Sequence, residues 1–65
     1  MDKLKELRHK KGWTCDDMAT MLNISKAYYW QLENGKRRLF YFLAIRIAKL
    51  FELKPDELFY KDFTK

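Results

Sequence analysis

Residues 15–34, CDDMATMLNISKAYYWQLEN, constrain the fold more than any other stretch of the chain. Small or apolar residues fall at Met18, Ala19, Leu22, Ile24, Tyr29 and Leu32, a spacing that gives two short helices with one buried face each. Asn23 stands between them, where the chain must turn sharply, and Asn tolerates positive φ better than most non-glycine residues. Ala19 leaves room for one helix to cross the other closely. Tyr29 and Leu32, at i and i+3, pin the second helix to the domain. Ser25, Lys26, Ala27, Trp30 and Gln31 are left on or near its outer face. Two helices joined in this way form a helix-turn-helix, whose second helix can present its outer face to a major groove.

Size limits what else the chain can hold. Sixty-five residues make one domain, 1–65, of a size that buries only about 60% of the surface its unfolded chain exposes. There is no room for a second core or for a substrate cleft between domains. Hydrophobic residues at 48% and charged residues at 35% suit a compact fold rather than a disordered tail. The net charge of +5 favours an anionic partner, of which nucleic acid is the commonest. Cys15 is the single cysteine, so an internal disulfide or a cysteine-based metal site is excluded, which fits a reducing cytosol. No apolar run approaches the roughly 20 residues of a membrane span, and the first residues are too charged for a signal-peptide core. A cytoplasmic location and no membrane partner are therefore expected.

The rest of the chain reads as helices. Leu4 and Leu7, preceded by Met1, share one face of a helix over about 2–11, with Gly12 as its C-terminal cap and His9, Lys10 and Lys11 at the negative end of its dipole. Thr14 caps the second helix, and Asp17 completes a shortened capping box. Ser25 caps the third helix, which ends at Asn34-Gly35 and is followed by the basic loop Lys36-Arg37-Arg38. An apolar fourth helix is predicted from about Tyr41 to Phe51. Pro55 opens a fifth, with Asp56 and Glu57 in its first turn. Nothing alternates with period two for long. The expected architecture is all-α, a compact five-helix domain.

With these residues in place the chain resembles the phage repressor/Cro-like (Xre-type, lambda repressor-like) helix-turn-helix family over about residues 3–59. The matching pieces are Leu4-x-x-Leu7-Arg8 with Gly12, Ala19-x-x-x-Asn23-Ile24-Ser25, Leu32-Glu33-Asn34-Gly35-Lys36-Arg37, Ile47-Ala48-Lys49 and Asp56-Glu57-Leu58-Phe59. The chain departs from the family pattern at five positions. Cys15 replaces the usual phosphate-binding Gln, Asn23 replaces the turn Gly, Leu39-Phe40 replace Pro-Ser, and Glu52 replaces a Gly. The resemblance implies a sequence-specific regulator of transcription, a repressor acting as a homodimer on a palindromic operator, encoded by a bacterium or phage.

It also implies roles for individual residues. Lys26, Ala27 and Gln31, on the recognition helix over 25–33, are expected at base edges; Trp30, bulkier than the residue usual there, joins them by packing on sugars or a thymine methyl, or else meets a protein. Gln31 can pair with adenine, Lys26 can reach guanine or a phosphate, and Ala27 can touch a thymine methyl. Thr14, Ser25, Tyr28, Lys36, Arg37 and Arg38 are expected at phosphates, where contacts give affinity and register without sequence information. Arg8 and Glu33 match positions that form an ion pair between the first and third helices. Trp13, Tyr29, Ala44, Ile45, Ala48 and Phe51 are core candidates.

Phe42, Leu43, Leu50, Leu53, Phe59, Tyr60 and Phe63 give the last third more apolar surface than a short helix buries, and an apolar patch of that kind marks an interface. Leu53, Phe59, Tyr60 and Phe63 are therefore expected where two copies meet, with 60–65 as a C-terminal extension; the alternative is that Phe59 and Phe63 fold back onto their own domain. His9 and Cys15 lack a positioned base or a cleft, so no enzyme, metal, cofactor or small-molecule ligand is expected. The competing reading is a protein-interaction module of the same fold, antirepressor-like and weak in DNA affinity. Cys15 in place of Gln and Trp30 on the presented face favour that alternative, while the basic loop and net charge oppose it.

Overall fold

The computed structural model describes residues 1–63, with side chains through residue 59. Among the described residues there are five helices and no strand: α1 (Asp2–Lys10), α2 (Cys15–Leu22), α3 (Lys26–Glu33), α4 (Tyr41–Leu50) and α5 (Pro55–Phe63). Helix α2 packs on α3, α1 on α3, and α4 on α5. The all-α, five-helix expectation is met, and the element boundaries lie within a residue of those expected.

Local chemistry sets where the helices start. Thr14 and Asp17 form a reciprocal capping box. The Asp17 backbone N–H donates to Thr14 Oγ1 at 3.0 Å, and the Thr14 N–H donates to Asp17 Oδ2 at 2.8 Å. Ser25 Oγ accepts from the Tyr28 N–H at 3.0 Å, and Glu57 Oε1 accepts from the Lys54 N–H at 3.0 Å. Phe40, the residue before α4, makes no side-chain cap bond, consistent with the absence of a capping residue at Leu39-Phe40.

Four helices stop by one device. A residue one or two positions beyond each takes positive φ, its N–H bonds the carbonyl three back, and the next N–H reaches five back, a Schellman arrangement. After α1 these bonds are Gly12 N–H to His9 O and Trp13 N–H to Arg8 O, and after α2 they are Asn23 to Thr20 and Ile24 to Ala19. After α3 they are Gly35 to Leu32 and Lys36 to Gln31, and after α4 Glu52 to Lys49 and Leu53 to Ala48. Two of the four pivots are not glycine: Asn23 sits at φ 58° and Glu52 at φ 57°. The departures at 23 and 52 therefore keep the backbone shape and load it with a side chain. Left-handed backbone of this kind costs an L-residue roughly 1–2 kcal/mol, less for Asn.

The core is one cluster. It comprises Leu4 of α1, Met18, Ala19 and Leu22 of α2, Tyr29 and Leu32 of α3, Leu39, Ala44, Ile47, Ala48 and Phe51 around α4, and Leu58 and Phe59 of α5. Trp13 is half-buried with its ring 5.4 Å from that of Phe51, and Ile45 is also only half-buried. Phe59 is 1% exposed, so it belongs to the domain's own core and not to a surface between copies. The path of the backbone is what buries it. Phe59 leaves helical backbone geometry (φ −120°, ψ 21°), and α5 kinks where this buried residue sits. Leu53 is half-buried against the same core, while Tyr60 and Phe63 lie outside the described side chains. In the second half of the chain the large apolar surface that does stay exposed, among the described side chains, sits at the start of α4, at Phe40, Tyr41 and above all Phe42, which is 85% exposed.

Candidate nucleic-acid interface

Helix α3 is held from its buried side. Tyr29 and Leu32 are fully buried, and Glu33 behind them is 2% exposed yet charged. A buried carboxylate is tolerated only when paired and hydrogen-bonded. Glu33 meets both conditions. Arg8 of α1 donates to it through two bonds, Nε to Oε2 at 2.8 Å and Nη2 to Oε1 at 2.9 Å, and the Tyr29 hydroxyl donates to Oε2 at 2.6 Å. Arg8 Nη1 donates in turn to the Trp13 carbonyl at 2.8 Å, which ties the α1–α2 turn to the same node. Burial by itself would raise the pKa of Glu33, but the hydrogen bonds from Arg8 and Tyr29 and the Arg8 charge outweigh it and hold the carboxyl below its usual range. The hydrogen bond to Glu33 raises Arg8, and burial followed by the bond to Glu33 raises Tyr29. Sequence spacing alone places Tyr29 in the core. Its i, i+4 spacing to Glu33 was the available sign that it also closes this polar network.

The opposite side of α3 is open. Lys26, Ala27 and Trp30 are exposed on it, and Gln31 is half-buried at its edge. Trp30 is 49% exposed, a large apolar ring presented to solvent beside a lysine and a glutamine. Ser25 and Thr14, at the starts of α3 and α2, are exposed; each spends its oxygen as a cap acceptor and keeps its O–H as a donor for an anion. Cys15 is half-buried at the first position of α2.

The basic loop is not a loose tether. The Gln31 carbonyl accepts from the Lys36 N–H at 2.7 Å and from the Arg37 N–H at 3.3 Å, so the loop leaves α3 in a set direction. Lys36, Arg37 and Arg38 are all exposed. The Arg37 guanidinium lies over the Tyr28 ring, 5.1 Å from its centroid, and the Arg38 guanidinium over Phe40 at 5.5 Å. The structure thus brings Lys26, Ala27, Tyr28, Trp30, Gln31 and the 36–38 loop onto α3 and its immediate exit, with Thr14 and Ser25 at the helix starts. Leu53 and Phe59 belong to the other end of the chain, on the segments flanking and within α5. Arg46, which no sequence motif singles out, donates from α4 to the Leu22 carbonyl at the end of α2 and joins the two helices. No helix among the described residues is long and apolar enough to cross a membrane.

Two packed helices with a tight left-handed turn, an exposed second helix and a basic exit loop define a helix-turn-helix domain. A family model described as a helix-turn-helix domain matches residues 2–59, and the chain belongs to this Xre-like helix-turn-helix family. It is a domain of the kind found in DNA-binding transcriptional regulators. It is 37% identical over 65 residues to the HTH-type transcriptional regulator AnsR of Bacillus subtilis, matching 100% of this chain and 56% of that protein. It is also 31% identical over 61 residues to a Pyrococcus furiosus protein assigned as an HTH-type transcriptional regulatory protein, matching 89% of this chain and 19% of that protein. The chain thus spans about half of the first relative's length and a fifth of the second's. No solved structure matches the chain at a significant level.

Proposed function

We propose that this chain is the DNA-reading module of a transcriptional repressor and that it occupies a palindromic operator as a homodimer. One observation carries the reading: the outer face of α3 is exposed while its inner face is locked by a buried, fully hydrogen-bonded ion pair, and a basic loop is tied by backbone bonds to its exit. A helix held at a fixed angle with a free face is what insertion into the major groove requires. In this reading Lys26, Ala27, Trp30 and Gln31 meet base edges. Thr14, Ser25, Tyr28, Lys36, Arg37 and Arg38 meet phosphates. A single recognition helix reads only a few base pairs, so two copies about 34 Å apart on one face of the duplex supply the rest. Repression follows from occupying a promoter, with no catalysis and no ligand.

The experiment is binding to random-sequence duplex and to sites selected from a random pool, at several salt concentrations. The proposal expects a steep loss of affinity with salt, because each phosphate contact releases counterions. Gln31→Ala should cost about 1–3 kcal/mol on the selected site and little on random DNA, and Lys36→Ala should weaken both and lower the salt slope by about one.

A second reading, a protein-interaction module of the same fold, is favoured by the exposed aromatics Trp30, Phe40 and Phe42. Salt-independent and negligible DNA binding would decide for it.

A further inference from the structure

Resting on the DNA-reading proposal, we infer that Arg37 is a specificity-determining residue: it positions the Gln31 carboxamide for a base edge, a role Lys36 and Arg38 do not share. Three observations converge on it. The Arg37 Nη1 donates to Gln31 Oε1 at 3.5 Å, its guanidinium carbon stands 5.1 Å from the centre of the Tyr28 ring, and its backbone N–H donates to the Gln31 carbonyl at 3.3 Å. The guanidinium is thus held between Tyr28 and Gln31, residues one turn apart on α3.

The chemistry follows from what a glutamine must do at adenine. Its amide N–H donates to N7 while its oxygen accepts from the N6 amino group, both in the plane of the base. The glutamine oxygen has two lone pairs and the guanidinium five N–H donors. Arg37 therefore engages one lone pair, leaves the other for the base, and turns the amide nitrogen away from itself. A free glutamine samples many rotamers, and ordering it on binding is unfavourable. Arg37 removes part of that cost before DNA arrives. The placement over the Tyr28 ring helps hold the guanidinium, whose planar fork a lysine ammonium cannot reproduce.

Lysine at 37 would keep the charge and lose the planar fork, so Arg37→Lys separates the two roles. The base pair read by Gln31 is first located as the position whose preference disappears when Gln31→Ala is put through selection from a random pool. Wild type, Arg37→Lys, Arg37→Ala and Lys36→Ala are then titrated on the preferred site and on that site with the located base pair changed. Arg37→Lys keeps the charge that meets phosphate, so the readout is the ratio of affinities on the two sites, and discrimination at the located base pair should fall at least about threefold, the scale on which contacting side chains couple. On the Gln31→Ala background the same substitution should change discrimination no further. Lys36→Ala should lower affinity for both sites and leave their ratio unchanged.

If Arg37→Lys or Arg37→Ala scaled affinity on both sites by one factor, the positioning role would be wrong and Arg37 would be a phosphate contact like Lys36. If wild type and Gln31→Ala selected no site, or the same one, the DNA-reading assignment of Gln31 itself would fail and take this inference with it. The two failures are distinguished by the wild-type and Gln31→Ala selections alone.

Discussion

Arg8 and Glu33 meet fork to fork, with Nε on Oε2 at 2.8 Å and Nη2 on Oε1 at 2.9 Å, across 25 residues of sequence. Their side chains are 10% and 1% exposed, so the pair works in an environment where a lone charge is costly. Because Arg8 also holds the Trp13 carbonyl and Glu33 also accepts from Tyr29, the node sets where α3 lies against α1 and the start of α2.

Breaking either side of that node should destabilise more than removing both. Arg8→Met or Glu33→Leu alone leaves a buried charge without its partner, a loss of about 3–5 kcal/mol. The double variant should lose less than either single one, which puts the coupling at about 3 kcal/mol or more, measured by thermal or urea unfolding. At this chain length each kcal/mol corresponds to roughly 4–8 °C in Tm. Strict additivity would mean that the two side chains do not sense each other.

The same node sets the acid limit of the fold. Glu33 is held below its ordinary value of 4.5, so the unfolded chain takes up a proton at a higher pH than the folded one. The stabilisation is complete above pH 4.5 and is lost as pH falls through the folded-state value. Glu33→Gln should therefore be less stable at neutral pH and should show a flatter decline below pH 4.5. Tyr29→Phe removes one bond to the carboxylate, so Glu33 should titrate at a higher pH than in the wild type. Urea unfolding from pH 7 to pH 2.5, together with an NMR titration of the Glu33 carboxyl, reads both effects.

Glu52 and Asn23 carry positive φ at helix ends where glycine would carry it without strain. Glu52→Gly should stabilise the chain by about 0.5–1 kcal/mol, the relief of left-handed strain exceeding the added freedom of the unfolded chain. Asn23→Gly should gain less, because Asn already tolerates this geometry. Glu52→Ala should gain nothing, since it keeps the Cβ. Denaturant midpoints at constant m-value test the series.

Dimerisation, which the proposed operator reading needs, cannot run through Phe59, whose ring is in the core. Phe42, 85% exposed at the start of α4, is the apolar residue most available to a second copy. Sedimentation at micromolar concentration should show self-association that Phe42→Ser weakens without lowering Tm. A monomer at all concentrations that occupies an asymmetric site as one copy would sink the dimer proposal.

Much of this was legible in the sequence because it rests on local rules. Helix starts at Thr14 and Ser25 follow from hydroxyls reaching back to nearby backbone N–H groups, and the turn at Asn23 follows from the few residues that accept positive φ. The apolar periodicity of α2 and α3 fixed which faces are buried and so left Lys26, Ala27 and Trp30 outside. Those features depend on neighbours within about five positions. What the tertiary structure decided depends on residues far apart or on the path of the backbone between them. An exposed-looking aromatic such as Phe59 is buried because α5 kinks and lies against α4, and no local pattern encodes that choice. Tyr29 joins Arg8 only because α1 and α3 meet across Glu33. Arg37 could be read from the sequence as one cation among three. Its place between Tyr28 and Gln31 comes from the backward reach of the chain after Gly35, which delivers one loop side chain onto the helix face and leaves Lys36 beside it in solvent.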